Sequence, residues 1–360
     1  MILLGAVAWA GLSGGGAKPR LDPPPPHSTT IGSHGRTTTT APRPKPTTTT
    51  TIPPPSLVAS QYVGTFNPTF VDQVTGVSVP TEVFYPATSS GGPPVTGRHP
   101  LIVFAEGFDA LPSYYSDLIA TWAKAGFVVA APVFPYTNAN ANVTPASENH
   151  LIEQPGEVST VISSMLTLGH SPNNVLQGII DPMAIGLAGQ SDGGDTVSAV
   201  AYDSCCTYPG IGATAILSGQ ELENPAGSYF NSPSPSPMLV VQGMADTINP
   251  PANSDQLYND DGGGEKYYLK LTGGFHLTPY TLDQTALGIF VPPGHTLAQL
   301  TTMAQAELPV VEQVTTDFFE AELVPASGVT ASTITAAGNV AGTSTIVSAN
   351  LGGGSGGGGG

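Results

Sequence analysis

Cysteine and basic side chains are scarce in this chain. Its 360 residues include two cysteines and nine lysines and arginines, against 26 acidic side chains, giving a net charge of −17 at neutral pH. The two cysteines are neighbours, Cys205-Cys206, which excludes a multi-bridge disulfide framework and lacks the C-x-x-C spacing of redox and zinc sites. Adjacent Cα atoms lie about 3.8 Å apart, below the usual disulfide span. Two thiols or a vicinal ring therefore both stand open, while thiol catalysis and metal ligation are not expected.

The basic residues are also unevenly placed. Five of them, with one acid, fall in residues 1–56, leaving four basic and 25 acidic side chains for the rest. A field of that sign repels phosphate backbones and anionic lipid surfaces, so a nucleic-acid partner is not expected and a neutral substrate is the easier one. The opening apolar stretch, Met1–Leu12, is too short for the roughly 20 residues that span a bilayer. Ala8-Trp9-Ala10 fits a small-x-small cleavage site although a basic n-region is missing. Residues 1–12 are read as a truncated secretory signal, and the protein as secreted or cell-surface. Residues 13–56, with their Thr runs and Pro-Arg-Pro-Lys-Pro, cannot bury a core and read as an extended linker. Residues 57–325 have the composition of one large domain. Residues 326–360 read as a small-residue, Gly-rich tail to which no chemistry is assigned.

From residue 100 onward, short apolar runs alternate with amphipathic segments, a βαβα rhythm that predicts a mostly parallel sheet flanked by helices. Strands are expected at Leu101–Ala105, Phe127–Ala131, Ala184–Ala188, Ala213–Leu217 and Met238–Val241, with Tyr267–Leu271 as the last. Tyr115, Leu118, Ile119 and Trp122 share a helical face ended by Gly126, and Val158 to Leu166 repeats that spacing. Pro309 is expected to open a final helix. Upstream, Gln61–Asp72 and Ser78–Tyr85 suggest an antiparallel pair at the sheet edge.

The most informative segment is Ile185-Gly-Leu-Ala-Gly-Gln-Ser-Asp-Gly-Gly194, where an apolar run delivers a G-x-S-x-G pentapeptide into a helix. Such a nucleophile elbow exposes its serine at a strained strand-to-helix turn, with glycines two before and two after it permitting close packing. In a chain with 44 glycines the pentapeptide can also arise by chance, so the other parts of the constellation decide. Hydrolysis by serine needs a base, a carboxylate that holds it, and donors aimed at the oxyanion. Asp246, three residues beyond the strand ending at Gly243, is the acid candidate, with Asp255, Asp260 and Asp261 as competitors in a more polar stretch. His276, just past the last strand in Gly273-Gly-Phe-His, is the base candidate. His295 is its rival, and His150 and His170 precede the serine. His99 sits at the wrong end of its strand, and His27 and His34 fall in the linker. Ser191, Asp246 and His276 follow the chain order of the nucleophile-elbow hydrolases. Oxyanion donors are expected from the backbone N–H of Asp192 and of Phe108, whose ring also offers an apolar wall to substrate.

Pro100-Leu-Ile-Val-Phe-Ala-Glu-Gly-Phe, Ala123-Lys-Ala-Gly-Phe-Val-Val-Ala-Ala-Pro, Gly189-Gln-Ser-Asp-Gly-Gly, Gln242-Gly-Met-Ala-Asp and Gly273-Gly-Phe-His occur in this order. With them the chain resembles the α/β-hydrolase superfamily over residues 60 to 325, nearest its secreted cutinase-like, polyester-hydrolase, chlorophyllase and platelet-activating-factor-acetylhydrolase-like branch. The resemblance implies an α/β-hydrolase fold and a serine carboxylesterase working through an acyl-enzyme without metal or organic cofactor. Two positions depart from it, since Glu106 and Gln190 stand where family members usually or often have histidine, and Glu106 brings a carboxylate towards the oxyanion loop. Only about twenty Gly- and Pro-rich residues separate Leu217 from Met238, too few for a large cap domain. An open site on a monomer is expected, accepting neutral esters that include lipid or polymer surfaces. An amidase or peptidase on the same fold, or an inactivated hydrolase serving as a surface binding module, are the alternatives.

Overall fold

The computed structural model describes residues 57–141, 147–223, 227–232 and 235–351. The expected signal and linker, residues 1–56, lie outside the described residues. Among the described residues ten strands form one sheet: β1 (Tyr62–Phe66), β2 (Thr69–Val71), β3 (Ser78–Ala87), β4 (His99–Ala105), β5 (Val128–Pro132), β6 (Ile180–Gln190), β7 (Ile211–Leu217), β8 (Met238–Gly243), β9 (Lys266–Leu271) and β10 (Ser344–Ala349). Seven α-helices accompany them: α1 (Ser116–Ala125), α2 (Gln154–His170), α3 (Asp192–Tyr202), α4 (Pro251–Asp260), α5 (Gln284–Ile289), α6 (Leu297–Leu323) and α7 (Ala331–Gly338).

The spatial order is β1-β3-β5-β4-β6-β7-β8-β9-β10. The six strands from β5 to β9 run parallel, while β1, β2 and β3 at one side and β10 at the other are antiparallel. This is the mixed architecture, with a mostly parallel centre, that the α/β-hydrolase fold requires. Strand alternation divides the core in two. Ile102, Phe104 and Val129 point to the layer packed by Trp122 of α1 and Phe318 and Phe319 of α6, whereas Leu101, Val103 and Val128 face Val158 and Ile162 of α2 and Val197 of α3. Every residue of β4, β5 and β8 is buried, which explains why these strands read as continuous apolar runs instead of alternating ones. Helix α1 ends where expected. Gly126 adopts φ 117°, a left-handed cap, and an added Cβ would press on the Val58 backbone.

Two expectations are corrected. Pro309 does not open the last long helix but lies inside α6, which starts twelve residues earlier at a capping box between Thr296 and Gln299. A proline there removes the donor for the Gln305 carbonyl, a cost of about 3 kcal/mol in a helix interior. Gln305 and Pro309 are both exposed, so water reaches the freed carbonyl, and burial of Leu300, Ala304, Leu308, Val311, Val314 and Phe318 holds the helix through the defect. The second correction concerns the tail expected from residue 326. Helix α7 and strand β10 belong to the domain: Ile334 and Ile346 enter the core, and β10 pairs along the whole of β9, which is therefore not the last strand. Its inward positions, Ser344 and Ile346, supply one large apolar side chain, too weak a pattern to separate from a polar tail. Pairing with β10 also covers an otherwise open sheet edge.

Many carboxyl groups are enclosed. Burial pushes Glu157 up to about 8, Glu307 and Glu322 to about 7, and Asp192 to about 6, from ordinary values of 4.5 for Glu and 3.8 for Asp. Each group holds its proton more tightly folded than unfolded, so the folded state binds more protons across that range. Its contribution is present at low pH and is lost as pH rises through the folded value. Melting temperature is therefore expected to fall steadily between pH 5 and pH 8 in differential scanning calorimetry. A melting temperature that rises over that interval contradicts this assignment.

Candidate active site

The end of β6 and the start of α3 meet at Ser191. Its backbone, at φ 55° and ψ −126°, lies in a region that side-chain-bearing residues rarely occupy, as a nucleophile elbow demands. The flanking glycines have steric reasons. An added Cβ at Gly189 would strike the Gly193 carbonyl, and one at Gly193 would strike the carbonyls of Ala105 and Glu106. The Ser191 amide donates to Leu217 O at 2.9 Å, fixing the turn to the end of β7.

Two strand ends further along, the loops after β8 and β9 touch backbone to backbone. The Ala245 amide donates to Gly274 O at 2.9 Å, and an added Cβ at Gly243 would collide with that same carbonyl. The glycines at both strand ends thus allow the two loops to converge. They bring His276 to Asp246, with Nδ1 donating to Oδ2 at 2.8 Å, and to Ser191, with the hydroxyl 3.0 Å from Nε2. Asp246 is held by more than the imidazole: its Oδ1 accepts the amides of Ile248 and Asn249 at 2.9 and 3.1 Å. Ser191, His276 and Asp246 are 8%, 4% and 4% exposed, so the carboxylate and imidazole interact with little screening by water. The His276 loop is braced from α6, where Glu307 accepts from Thr278 at 2.6 Å while Thr278 accepts the Phe275 amide at 2.9 Å.

The competing residues are engaged elsewhere. Asp255 pairs with Lys270 at 3.3 Å, Asp260 ends α4, and Asp261 caps the turn at Gly263 and Gly264. His295 meets the Phe275 ring edge-on, His150 stacks on Tyr136 beside Glu153, and His170 contacts Leu166 O in its own helix. His99 is buried at the start of β4, against the carbonyls of Gly126 and Val95. His27 and His34 lie outside the described residues.

Across the serine stands the loop after β4. Gly107 packs so closely that an added Cβ would lie 2.8 Å from Gln190 Oε1 and 3.2 Å from Ser191 Cβ. Phe108 follows in a turn and is half-buried, while Asp192, as the first residue of α3, carries an amide that no helical carbonyl reaches. Those are the two amides expected as oxyanion donors. Glu106 directly follows β4. It is fully buried, accepts the Phe134 amide at 3.0 Å through Oε1, and has its pKa raised well above the ordinary value, chiefly by burial and further by Glu82 and Glu157. Burial thus favours its protonated form. The Asp192 carboxyl, on the residue that follows the serine, is raised to about 6 chiefly by burial and also by Glu148.

Sequence reasoning missed one wall of the site. Residues 289–293, at and beyond the end of α5, close with Ile248 and Phe275 around a cavity of about 240 Å³ that opens on His276. The Phe290 ring meets the imidazole edge-on at 5.7 Å. Ile248, Ile289, Phe290 and Val291 are 36% to 48% exposed, forming an apolar rim. The segment expected to be too short for a cap, between β7 and β8, contains no helix among its described residues, and it packs on α3 through Tyr229 and Phe230. The adjacent cysteines are joined to each other in a turn just past α3.

Among the described residues no group of three or more His, Cys, Asp and Glu is arranged to hold a metal ion, and no helix is long and apolar enough to cross a membrane. A search of curated proteins finds no match to this chain. The chlorophyllase family model matches residues 74–217, a stretch that contains β3 to β7, the Gly107 loop and the Ser191 elbow and stops short of Asp246 and His276. With this match and a mostly parallel sheet flanked by helices, the chain is a hydrolase of the α/β-hydrolase type.

Proposed function

We propose that this protein is a secreted serine carboxylesterase that hydrolyses neutral, apolar esters through an acyl-enzyme on Ser191. The observation that carries the reading is the continuous proton path from the Ser191 hydroxyl, 3.0 Å from His276 Nε2, through the imidazole to Asp246 at 2.8 Å. His276 takes the hydroxyl proton as the oxygen attacks the ester carbonyl, and Asp246 stabilises the imidazolium formed. The amides of Asp192 and Phe108 receive the negative charge that develops on the carbonyl oxygen. The imidazolium then gives its proton to the departing alkoxide. Water repeats the sequence to free the acid. The bridged cysteine pair and the Thr/Pro-rich residues 13–56 support an oxidising, extracellular setting.

The direction of proton delivery also assigns the apolar cavity. A leaving alcohol must lie on the imidazole side, and the cavity is lined by His276, Ile248 and Phe290 with no residue of the oxyanion loop. The cavity therefore suits the alcohol portion of the ester. Its exposed apolar rim suits substrates presented at lipid or polyester surfaces, and the acidic surface disfavours anionic ones.

A fluorophosphonate probe is expected to label Ser191 in the native protein and to leave Ser191→Ala unlabelled and inactive with its fold intact. His276→Ala and Asp246→Asn should each cost on the order of 10³-fold or more in kcat. Near-native turnover by His276→Ala contradicts the base assignment, and an unlabelled native protein points to a binding module.

For acetate esters of increasing alcohol length, kcat/KM should rise roughly fourfold per methylene until the cavity is filled, from about 0.8 kcal/mol per buried methylene. Phe290→Ala should flatten that rise. A steeper dependence on acyl length than on alcohol length contradicts the assignment of the cavity.

A further inference from the structure

Gln190 stands immediately before the serine, and its side chain does not point to solvent. It is 1% exposed, and both ends of its amide are engaged. Oε1 accepts the Tyr115 hydroxyl at 2.8 Å, and Nε2 donates to the main-chain carbonyl of His276 at 3.2 Å, lying 3.4 Å from the imidazole Nε2. Tyr115 is itself 1% exposed, packed against Phe104 at 4.9 Å between ring centroids. The backbone of Gly107 lies against its hydroxyl, and the missing Cβ at Gly107 leaves the space that Gln190 Oε1 fills.

These contacts join three segments that lie far apart in the sequence: the loop after β4, the last residue of the nucleophile strand, and the loop that carries the base. A polar group buried at this depth is costly unless its partners are in place. Here the hydroxyl donates to the amide oxygen while the amide nitrogen donates to the histidine carbonyl, so each heteroatom has a complementary neighbour and only one orientation of the amide satisfies both. The arrangement is directional. Removing the tyrosine hydroxyl frees the amide to turn, and removing the amide takes away the side-chain hydrogen bond to the His276 main-chain carbonyl.

We propose that Tyr115 and Gln190 form a buried clamp whose function is to position His276 against Ser191, making both of them positioning residues for the reaction. The proposal rests on the serine hydrolase reading, since it assigns the residue that aims the base. Neither side chain lines the cavity beside His276, so ester binding and base alignment are separable. A clamp of this kind acts on the chemical step and leaves ground-state binding unchanged.

The test compares Gln190→Met, which keeps the length of the side chain without its donor and acceptor, with Tyr115→Phe, which removes one hydroxyl, and with the double variant. In each, kcat for a short p-nitrophenyl ester and the rate constant for fluorophosphonate labelling are expected to fall together, about tenfold to a hundredfold, with KM within about twofold of native. The double variant should lose little more than Gln190→Met alone, because the two residues act as one unit. Unchanged kcat in a folded Gln190→Met or Tyr115→Phe protein overturns the clamp, as do losses that multiply in the double variant. A change confined to KM or to melting temperature also overturns it, showing that the pair serves binding or packing only. Native protein that fails to label overturns the underlying serine hydrolase reading instead.

Discussion

The close approach of backbones at the carboxyl ends of the parallel strands is the constraint on which the remainder of this structure depends. Gly193 lies on the carbonyls of Ala105 and Glu106, Gly189 on Gly193, and Gly243 on Gly274, and a methyl group at any of these positions would force the segments apart. Each contact sets the separation of two strand ends. Together they fix where the turn at Ser191, the loop of Asp246 and the loop of His276 emerge. The side chains then need only short reaches to meet, and their hydrogen bonds of 2.8 and 3.0 Å follow from backbone geometry more than from side-chain flexibility. A site built this way is preorganised, with its dipoles aligned before substrate arrives.

A second constraint is electrostatic. The protein is strongly acidic, yet the carboxyl groups nearest the serine are not simply a cluster of negative charges. Burial raises the Glu106 pKa well above its ordinary value, which favours the uncharged form beside the loop expected to meet an oxyanion. Asp246 is the exception that matters. Two backbone amides and the imidazole surround its carboxyl group, compensating for the water it has lost. The same burial that shapes the site thus sets its acids in different surroundings, Glu106 with one backbone amide and Asp246 with two amides and the His276 imidazole. Asp192, next to Ser191 in the chain, has its pKa raised to about 6, chiefly by burial.

Most of the framework was legible from the chain because its central strands are continuous apolar runs and its site glycines sit at strand ends. The five ordered motifs give Ser191, Asp246 and His276 by number, and the structure brings those three together. What escaped had weak or misleading local signals. Strand β10 presents one large inward residue, Ile346, among mostly small residues, and Pro309 mimics a helix start although Thr296 and Gln299 form the real one. The wall at residues 289–293 is irregular chain whose apolar side chains gain meaning only from their place beside His276. Glu106 and Gln190 could be flagged as departures from a pattern, but a sequence cannot reveal that burial raises the pKa of one or that the other is bonded to Tyr115. The first depends on how the whole core encloses the carboxyl group, and the second on a residue 75 positions away.

The most direct measurement of the central claim is rapid-quench mass spectrometry of the protein mixed with a p-nitrophenyl ester, followed by peptide mapping. The account predicts a transient mass increase equal to the acyl group, confined to the peptide that contains Ser191 and appearing as nitrophenol is released. Release of nitrophenol in repeated turnovers with the acyl group on another residue would contradict it.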